Sequence, residues 1–182
     1  MSRFTPRLTR PSNTDPRWIN INYGGYNRCI LGSPSYGPGS VLSDCTGYAW
    51  GRWLELLNAT DCNLSINQAA IWYLNTGDGY RRGSEPKLGA ICCWDNNGGS
   101  GHVAVVESMT TNDQGVVNSC VVSESVYNGV VFRLQTISRS RNWYIYDDHN
   151  FQGFIYLPID FTELDTCLLP LLKRNKNIKI RM

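Results

Sequence analysis

The sequence lacks the features that mark several common classes of protein. Residues 1–20 contain no apolar core of a signal peptide, and no apolar run is long enough to span a bilayer. The formal net charge of +2 is too small to indicate nucleic-acid binding. We therefore expect a protein made in a cytoplasm without its own export signal, with no nucleic-acid partner and no membrane insertion.

The cysteines lack the spacing of a disulfide framework or a zinc site. There are seven, an odd number, and no two of them form a CxxC pair. Cys92 and Cys93 are adjacent in an apolar run, and adjacent residues on a strand point to opposite faces, so the two thiols cannot share one small site. We expect reduced thiols, no metal and no cofactor.

Histidine is scarce, so the search for a general base has only two candidates, His102 and His149. His102 opens a predicted strand directly after the glycine-rich residues 98–101, where a backbone or a substrate can come close. His149 lies in a polar turn, and we expect its side chain to be exposed to solvent.

The 182 residues are enough for one domain with a substantial core. A short strand and turn are predicted over 18–30, a helix from Cys45 to Asn58, and a second helix over 66–74 that a capping box at Ser65 would open. Apolar and alternating runs then predict strands at residues 88–94, 102–109, 116–124, 130–137 and 151–157. This order predicts an α+β fold, with N-terminal helices packed on an antiparallel β-sheet.

Cys45 is the candidate nucleophile. Asp44 is a good N-cap, so the cysteine falls in the first helical turn, where unpaired N–H groups and the helix dipole favour the thiolate. A buried cysteine can also serve simply as a small apolar residue. Its combination with His102 favours the catalytic interpretation, a Cys–His pair.

A third group should orient the imidazole, and Glu124, Glu107 and Asn128 are the candidates. We expect Glu124 to lie across the hairpin from His102, because both residues are about equally far from the turn centre near Asp113. Glu107 falls on the opposite face of the strand, and we expect it to face solvent. Asn128 is the second choice.

Two motifs resemble those of CHAP domains, the cysteine- and histidine-dependent amidohydrolase/peptidases. Residues 44–53, Asp-Cys-Thr-Gly-Tyr-Ala-Trp-Gly-Arg-Trp, resemble the nucleophile motif, and 101–107, Gly-His-Val-Ala-Val-Val-Glu, resemble the histidine motif. Residues 86–94, 123–127 and 151–156 resemble the strand before the histidine, the third-residue segment and the closing strand of phage members. The similarity runs from about residue 22 to residue 156.

The resemblance implies a papain-like fold and a peptidoglycan hydrolase of the phage lysin type, either an endolysin or a virion-associated lysin. It implies Cys45, His102 and Glu124 as catalytic residues. It does not specify which bond is cut, the N-acetylmuramoyl-L-alanine amide bond or a peptide bond. We predict that four aromatic residues near these motifs bind the substrate: Tyr48, Trp50, Trp94 and Tyr127. Tyr48 and Trp50 could instead pack in the core.

The sequence departs from the family pattern at two places. Many CHAP domains carry an asparagine two positions after the glutamate, where this chain has Val126. The role of orienting the histidine then depends more on Glu124, or Asn128 is a shifted substitute for the asparagine. Some members bind calcium through an acidic loop before the cysteine. Residues 30–43 contain no acid, so we predict no calcium site.

The resemblance divides the chain into a flexible N-terminal arm (1–17), a CHAP catalytic domain (18–160) and a C-terminal tail or linker (161–182). The expected partner is bacterial peptidoglycan, with a cell-wall-binding domain or a virion protein as a further partner. The expected location is the host bacterial cytoplasm before release to the cell wall, or the virion.

Three other interpretations remain. A cell-wall peptidase with a Cys-His-His site would need a second histidine soon after the first, and His149 is far along the chain. A catalytically inactive wall-binding or virion structural module would have little reason to keep Cys45, His102 and Glu124 together. A transglutaminase-like acyl transferase would yield cross-linked rather than cleaved product.

Overall fold

The computed structural model describes residues 4–12, 14–19, 44–127, 129–159 and 161. Its α-helices are Pro16–Ile19 (α1) and Cys45–Leu57 (α2). Its strands are Arg82–Gly83 (β1), Ile91–Asp95 (β2), His102–Thr111 (β3), Val117–Glu124 (β4), Arg133–Ser138 (β5) and Asn150–Ile155 (β6). Short 3₁₀ turns lie at Ala69–Ile71, Thr76–Asp78 and Arg139–Arg141.

The six strands form one antiparallel sheet in the order β1-β6-β2-β3-β4-β5. Helix α2 packs across β3 and β4. The predicted α+β layout with an antiparallel sheet is therefore confirmed, and five of the six strands overlap the predicted ones. The strand predicted over 18–30 is wrong at its start, because Trp18 belongs to α1, and residues 20–30 lie outside the described residues.

Helix α2 begins and ends close to the predicted residues. The Asp44 side chain accepts hydrogen bonds from Gly47 N at 2.7 Å and from Thr46 Oγ1 at 2.7 Å, which satisfies one of the free N–H groups of the first turn. Asn58 adopts a left-handed conformation (φ 48°) and closes the last turn. The local sequence signals at both ends were sufficient to define this helix.

The second predicted helix, residues 66–74, is wrong. Ser65 Oγ accepts a hydrogen bond from Asn67 N at 3.2 Å, and the chain forms only the 3₁₀ turn Ala69–Ile71. Tertiary partners occupy the backbone groups that an α-helix would use. Ala70 N donates to Ser100 O at 2.8 Å, and Ala70 O accepts from Gln152 Nε2 at 2.9 Å. A single long helix, rather than several, covers the sheet in the described part of the chain.

The core has one layer on each face of the sheet. Cys93, Val103 and Val105 face α2, whereas Cys92 and Ala104 face the turn between β5 and β6. The two adjacent cysteines therefore point to opposite faces, as predicted. All six tryptophans are buried, so these rings pack the core: Trp18, Trp50, Trp53, Trp72, Trp94 and Trp143.

Gly51 allows a neighbouring residue to approach α2 closely. A Cβ atom on Gly51 would lie 2.3 Å from the Trp18 Nε1 atom. The neighbour is the indole ring of Trp18. This contact holds α1 against α2, which explains glycine in the interior of a helix, where it costs about 1 kcal/mol relative to alanine.

Residues 4–12 lie against the domain. Arg7 N donates to Glu107 Oε2 at 2.8 Å, and the Arg7 guanidinium pairs with Glu55 of α2. The division into arm, catalytic domain and tail stays a prediction, but part of the predicted arm makes specific contacts with the domain.

None of the helices within the described residues has the length and apolar character needed to cross a membrane.

Candidate active site

Cys45 is the first residue of α2, and its sulfur lies against the start of β3. The backbone of Val103 hydrogen-bonds the thiol, and Val103 follows His102 directly. Asp44, the residue before Cys45 in the sequence, is close enough to His102 to interact with its charge. The structure thus brings the helix start that carries the predicted nucleophile to the strand start that carries the predicted base.

The surroundings of the Cys45 thiol oppose its ionisation. Burial raises its pKa, the negative charge of Asp44 raises it further, and the hydrogen bond from the Val103 backbone lowers it only in part. We expected the helix dipole to favour the thiolate, and this expectation is wrong for the resting site because desolvation is the larger effect. Only 8% of the residue is exposed, so a base must remove the proton as the reaction begins.

His102 and Glu124 form a buried pair. His102 Nε2 is hydrogen-bonded to Glu124 Oε2, and the Glu124 side chain is fully buried. Val105 pairs with Ser123 in the β3–β4 ladder, which places Glu124 beside Ala104 rather than directly opposite His102. The hairpin turn is centred on Gln114 rather than Asp113, since Thr111 pairs with Val117, and this moves the partner of Glu124 by two residues. The two β-bulges in the hairpin shift the register in opposite directions and offset each other. A diagonal neighbour on the same face is still within reach of a long side chain.

The Glu124 carboxylate determines which imidazole nitrogen carries the proton. An ionised carboxylate only accepts hydrogen bonds, so Nε2 of His102 must be the N–H donor. In the neutral imidazole, Nδ1 then holds the lone pair. Nδ1 is therefore the nitrogen of the neutral His102 imidazole that can accept a proton.

Three further side chains hold the other oxygen of Glu124. Glu124 Oε1 accepts hydrogen bonds from Arg133 Nε at 2.6 Å, from Gln135 Nε2 at 2.6 Å and from the Tyr146 hydroxyl. Burial alone would raise the pKa of Glu124, but the hydrogen bond and charge of His102, together with Tyr146 and Arg133, lower it to about 2. The carboxylate stays ionised at neutral pH.

We expect this ionised carboxylate to make the fold sensitive to acid. Its folded pKa of about 2 lies below the ordinary 4.5, so its stabilising effect is complete above pH 4.5 and is lost as the pH falls toward 2. The contribution at neutral pH is on the order of 3 kcal/mol. Urea unfolding at a series of pH values should show the free energy of unfolding falling through this range, and Glu124→Gln should flatten the fall.

Glu85 provides the matched control for this measurement. It is ion-paired with Arg139 but exposed, so Glu85→Gln should leave most of the acid dependence in place. Equal flattening by Glu85→Gln and Glu124→Gln would contradict a special contribution from Glu124.

Glu107 is buried, which corrects the expectation that it faces solvent. Arg52 of α2 donates from Nε to Glu107 Oε1 at 3.0 Å and from Nη2 to Oε2 at 2.8 Å. Ser123 Oγ also donates to Oε1 at 2.7 Å, and the Tyr48 hydroxyl donates to Ser123 Oγ at 2.7 Å. Glu107 does lie on the face opposite His102, as predicted. It ties α2 to the sheet rather than orienting the imidazole.

Three of the four predicted substrate-binding residues are core residues in this structure. Tyr48, Trp50 and Trp94 are at most 2% exposed, and a buried ring has no free surface to offer a substrate. Trp94 instead packs beside His102, with ring centroids 6.0 Å apart. Tyr127 is 64% exposed, and its substrate-binding role stays a prediction.

Two side chains that the sequence did not place at this site lie beside His102. The Tyr146 ring lies edge-to-face with the imidazole at a centroid distance of 5.2 Å, and His149 lies 6.3 Å from it. His149 is mostly buried, which corrects the expectation of a solvent-exposed residue. Because Glu124 occupies Nε2 of His102, the third residue of the site is the carboxylate rather than His149.

Gly101 precedes the start of β3, and we expect Gly101→Ala to displace the backbone there. Its φ is +68°, and a Cβ atom there would lie 2.5 Å from the Ala70 backbone and 2.5 Å from Trp94 O. The left-handed conformation costs roughly 1–2 kcal/mol for alanine, and the crowding adds to this cost. We expect a lower unfolding temperature and weaker activity, since the displaced residue precedes His102.

Gly98 is the control for Gly101. Its φ of +96° imposes the same kind of strain, but a Cβ atom there meets nothing within 4 Å. Gly98→Ala should therefore show the conformational cost alone. Equal losses in the two variants, measured by thermal unfolding, would rule out the crowding at Ala70 and Trp94.

Some predictions fall on residues that the structure does not describe. Asn128 and the segment 30–43, for which we predicted no calcium site, lie outside the described residues. Within the described ranges, no group of three or more histidine, cysteine or acidic side chains is arranged to hold a metal ion. The five cysteines in these ranges are free thiols: Cys45, Cys62, Cys92, Cys93 and Cys120.

Two comparisons with known proteins relate this chain to others. An N-acetylmuramoyl-L-alanine amidase from Staphylococcus aureus is 21% identical, with a TM-score of 0.46, over 63% of this chain and 31% of that chain. The present chain therefore spans less than a third of that protein's length. A family model described as the CHAP domain matches residues 35–125. This match includes Cys45, His102 and Glu124 and takes in half of the 182 residues, so the chain belongs to the CHAP domain family.

Proposed function

We propose that the protein is a peptidoglycan hydrolase that cleaves an amide bond of the bacterial cell wall through the Cys45 thiol. Membership of the CHAP family supports the substrate class. The observation that carries the proposal is the buried His102–Glu124 pair at the start of β3, next to the residue whose backbone hydrogen-bonds the Cys45 sulfur. A thiol, a base and a group that orients the base are the parts that nucleophilic catalysis requires.

The first chemical step is proton transfer coupled to attack. His102 Nδ1 takes the proton from the Cys45 thiol, and the sulfur forms a bond to the amide carbonyl carbon. Glu124 then faces an imidazolium and stabilises its positive charge.

The second half of the reaction releases both products. The backbone N–H of Cys45, at the start of α2, stabilises the oxyanion, and a donor of this kind contributes about 3–4 kcal/mol. The C–N bond breaks as His102 returns its proton to the leaving amine. Water, deprotonated by His102, then attacks the thioester, releasing the carboxylic acid and restoring the thiol.

The bond that is cut, the phage origin, the location and the further partner are also proposals. The bond cut is either the N-acetylmuramoyl-L-alanine amide or a peptide bond, and the chain acts as a bacteriolytic phage endolysin or virion-associated lysin. Its location would be the host cytoplasm before release to the wall, or the virion. A cell-wall-binding domain or a virion protein would be its further partner. The resemblance of residues 151–156 to the closing strand of phage members supports the phage assignment.

The test is incubation of the full chain with purified bacterial sacculi, followed by mass spectrometry of the soluble fragments. New N-terminal alanine on the released peptides identifies an amidase, and any other new N-terminus identifies an endopeptidase. Binding to sacculi without any release of fragments would contradict the proposal and favour an inactive wall-binding module. Cross-linked product without cleavage would contradict it in favour of an acyl transferase.

A further inference from the structure

Tyr146 contacts both members of the His102–Glu124 pair, although no sequence motif includes it. Its hydroxyl donates to Glu124 Oε1, and its ring lies edge-to-face with His102 at 5.2 Å. The same hydroxyl accepts hydrogen bonds from Gln135 Nε2 at 2.9 Å and from Arg133 Nη2. One side chain therefore joins the carboxylate, the imidazole and the two residues of β5 behind them.

We propose that Tyr146 is a positioning residue that keeps Glu124 Oε2 and His102 Nε2 aligned during catalysis. This inference rests on the proposed function, because it assigns a role within the same site. We call Glu124, Arg133, Gln135 and Tyr146 the Glu124 cluster.

The hydrogen bonds of the cluster restrict the plane of the carboxylate. If Oε2 alone were bound, the carboxylate could rotate about its last torsion, which is soft. Arg133, Gln135 and Tyr146 all donate to Oε1, so the plane is held from the side away from His102. The carboxylate oxygen that faces the imidazole is then kept in one direction.

The Tyr146 ring restricts the imidazole as well. Two aromatic rings lie beside the His102 imidazole, the Trp94 ring at a centroid distance of 6.0 Å and the Tyr146 ring at 5.2 Å. Rings packed this close oppose rotation of the imidazole about its own last torsion. His102 can then present Nδ1 in the same direction each time it takes and returns a proton.

Tyr146 also differs electrostatically from its neighbour Arg133. The Arg133 charge opposes the formation of an imidazolium nearby, whereas a phenol adds no charge. Burial raises the pKa of Tyr146, and its hydrogen bond to the Glu124 carboxylate raises it further, so the hydroxyl stays a protonated donor. Tyr146 can align the pair without weakening the ability of Glu124 to stabilise the charged histidine.

The turn that carries Tyr146 is anchored to β2, the strand next to the one that carries His102. Trp143 packs in the core, and its carbonyl accepts a hydrogen bond from Trp94 Nε1 at 2.9 Å. Trp94 pairs with His102 in the β2–β3 ladder. This chain of contacts fixes the position of Tyr146 relative to His102.

The test compares Tyr146→Phe and Tyr146→Leu in the full chain, with Tyr144→Phe as the matched control. Tyr144 lies in the same turn, and its hydroxyl contacts Asp147 rather than Glu124. We expect Tyr146→Phe to lower kcat by roughly tenfold and Tyr146→Leu by about a hundredfold, with KM little changed, because misalignment acts on the chemical step. Tyr144→Phe should keep both constants.

A spectroscopic measurement tests the alignment without relying on activity. The chain has only two histidines, so a ¹⁵N-labelled sample gives two pairs of imidazole signals, one for Nδ1 and one for Nε2 of each ring, and His149→Gln identifies the pair of His102. We expect Tyr146→Phe to shift the His102 Nε2 signal at constant pH, and Tyr144→Phe to leave it in place. An unchanged His102 signal together with an unchanged kcat in Tyr146→Phe would overturn the proposal.

The two proposals can fail separately. If the wild-type chain releases no wall fragments, the proposed function fails, and the imidazole signal alone then decides whether Tyr146 aligns His102. If Tyr146→Leu does not fold, Tyr146→Phe carries the test, since it keeps the ring and removes one oxygen atom.

Discussion

Cys45→Ala is expected to abolish the release of cell-wall fragments while leaving the fold and wall binding in place. The proposed reaction forms a bond to the Cys45 sulfur, and alanine offers no nucleophile at the start of α2. Removing the nucleophile of comparable enzymes lowers kcat by roughly 10⁴-fold or more. Release of soluble fragments from sacculi measures the loss, and sedimentation with the sacculi measures the remaining binding.

Cys62→Ala is the matched control for this variant. Cys62 is also a free thiol, but it lies after α2 and packs at the edge of the core. We expect Cys62→Ala to keep full activity. If Cys45→Ala retained wild-type activity, the cysteine-dependent mechanism would be wrong, whereas equal losses in both variants would indicate a general effect on folding.

The largest effect on stability is expected at the buried Arg52–Glu107 pair. Glu107→Gln keeps the shape of the side chain but removes the fully buried counter-charge of the Arg52 guanidinium, which is 3% exposed and keeps only its ion pair with the half-buried Glu55. Breaking a buried pair on one side costs about 3–5 kcal/mol, and the remaining pair with Glu55 places the expected loss at the lower end of that range. Urea unfolding followed by tryptophan fluorescence should show this fall in the free energy of unfolding.

Glu85→Gln removes the same kind of charge from an exposed pair and serves as the control. The side chains of Glu85 and Arg139 are 59% and 38% exposed, so the expected loss is about 1 kcal/mol or less. In addition, Arg52→Met combined with Glu107→Leu should cost less than the two single changes together, because neither charge remains alone. Equal losses in Glu107→Gln and Glu85→Gln would contradict the burial argument.

Much of the fold could be predicted because its signals are local. The Asp44 cap defined the start of α2, and alternating apolar residues defined β3 and β4. The predicted helix at 66–74 failed because its backbone groups bond to Ser100 and Gln152 instead, and a capping box carries no information on such distant partners.

The sequence by itself determined which reactive groups the chain carries and which helix or strand holds each of them. It placed one cysteine at a helix start, one histidine at a strand start and one glutamate at the end of the next strand, since caps and alternation depend only on near neighbours. The tertiary structure decided how these groups are held. It buried Glu107 against Arg52, raised the pKa of the Cys45 thiol by desolvation, and brought Tyr146 to His102. These outcomes depend on contacts between residues far apart in the chain, which the pattern of either segment alone does not specify.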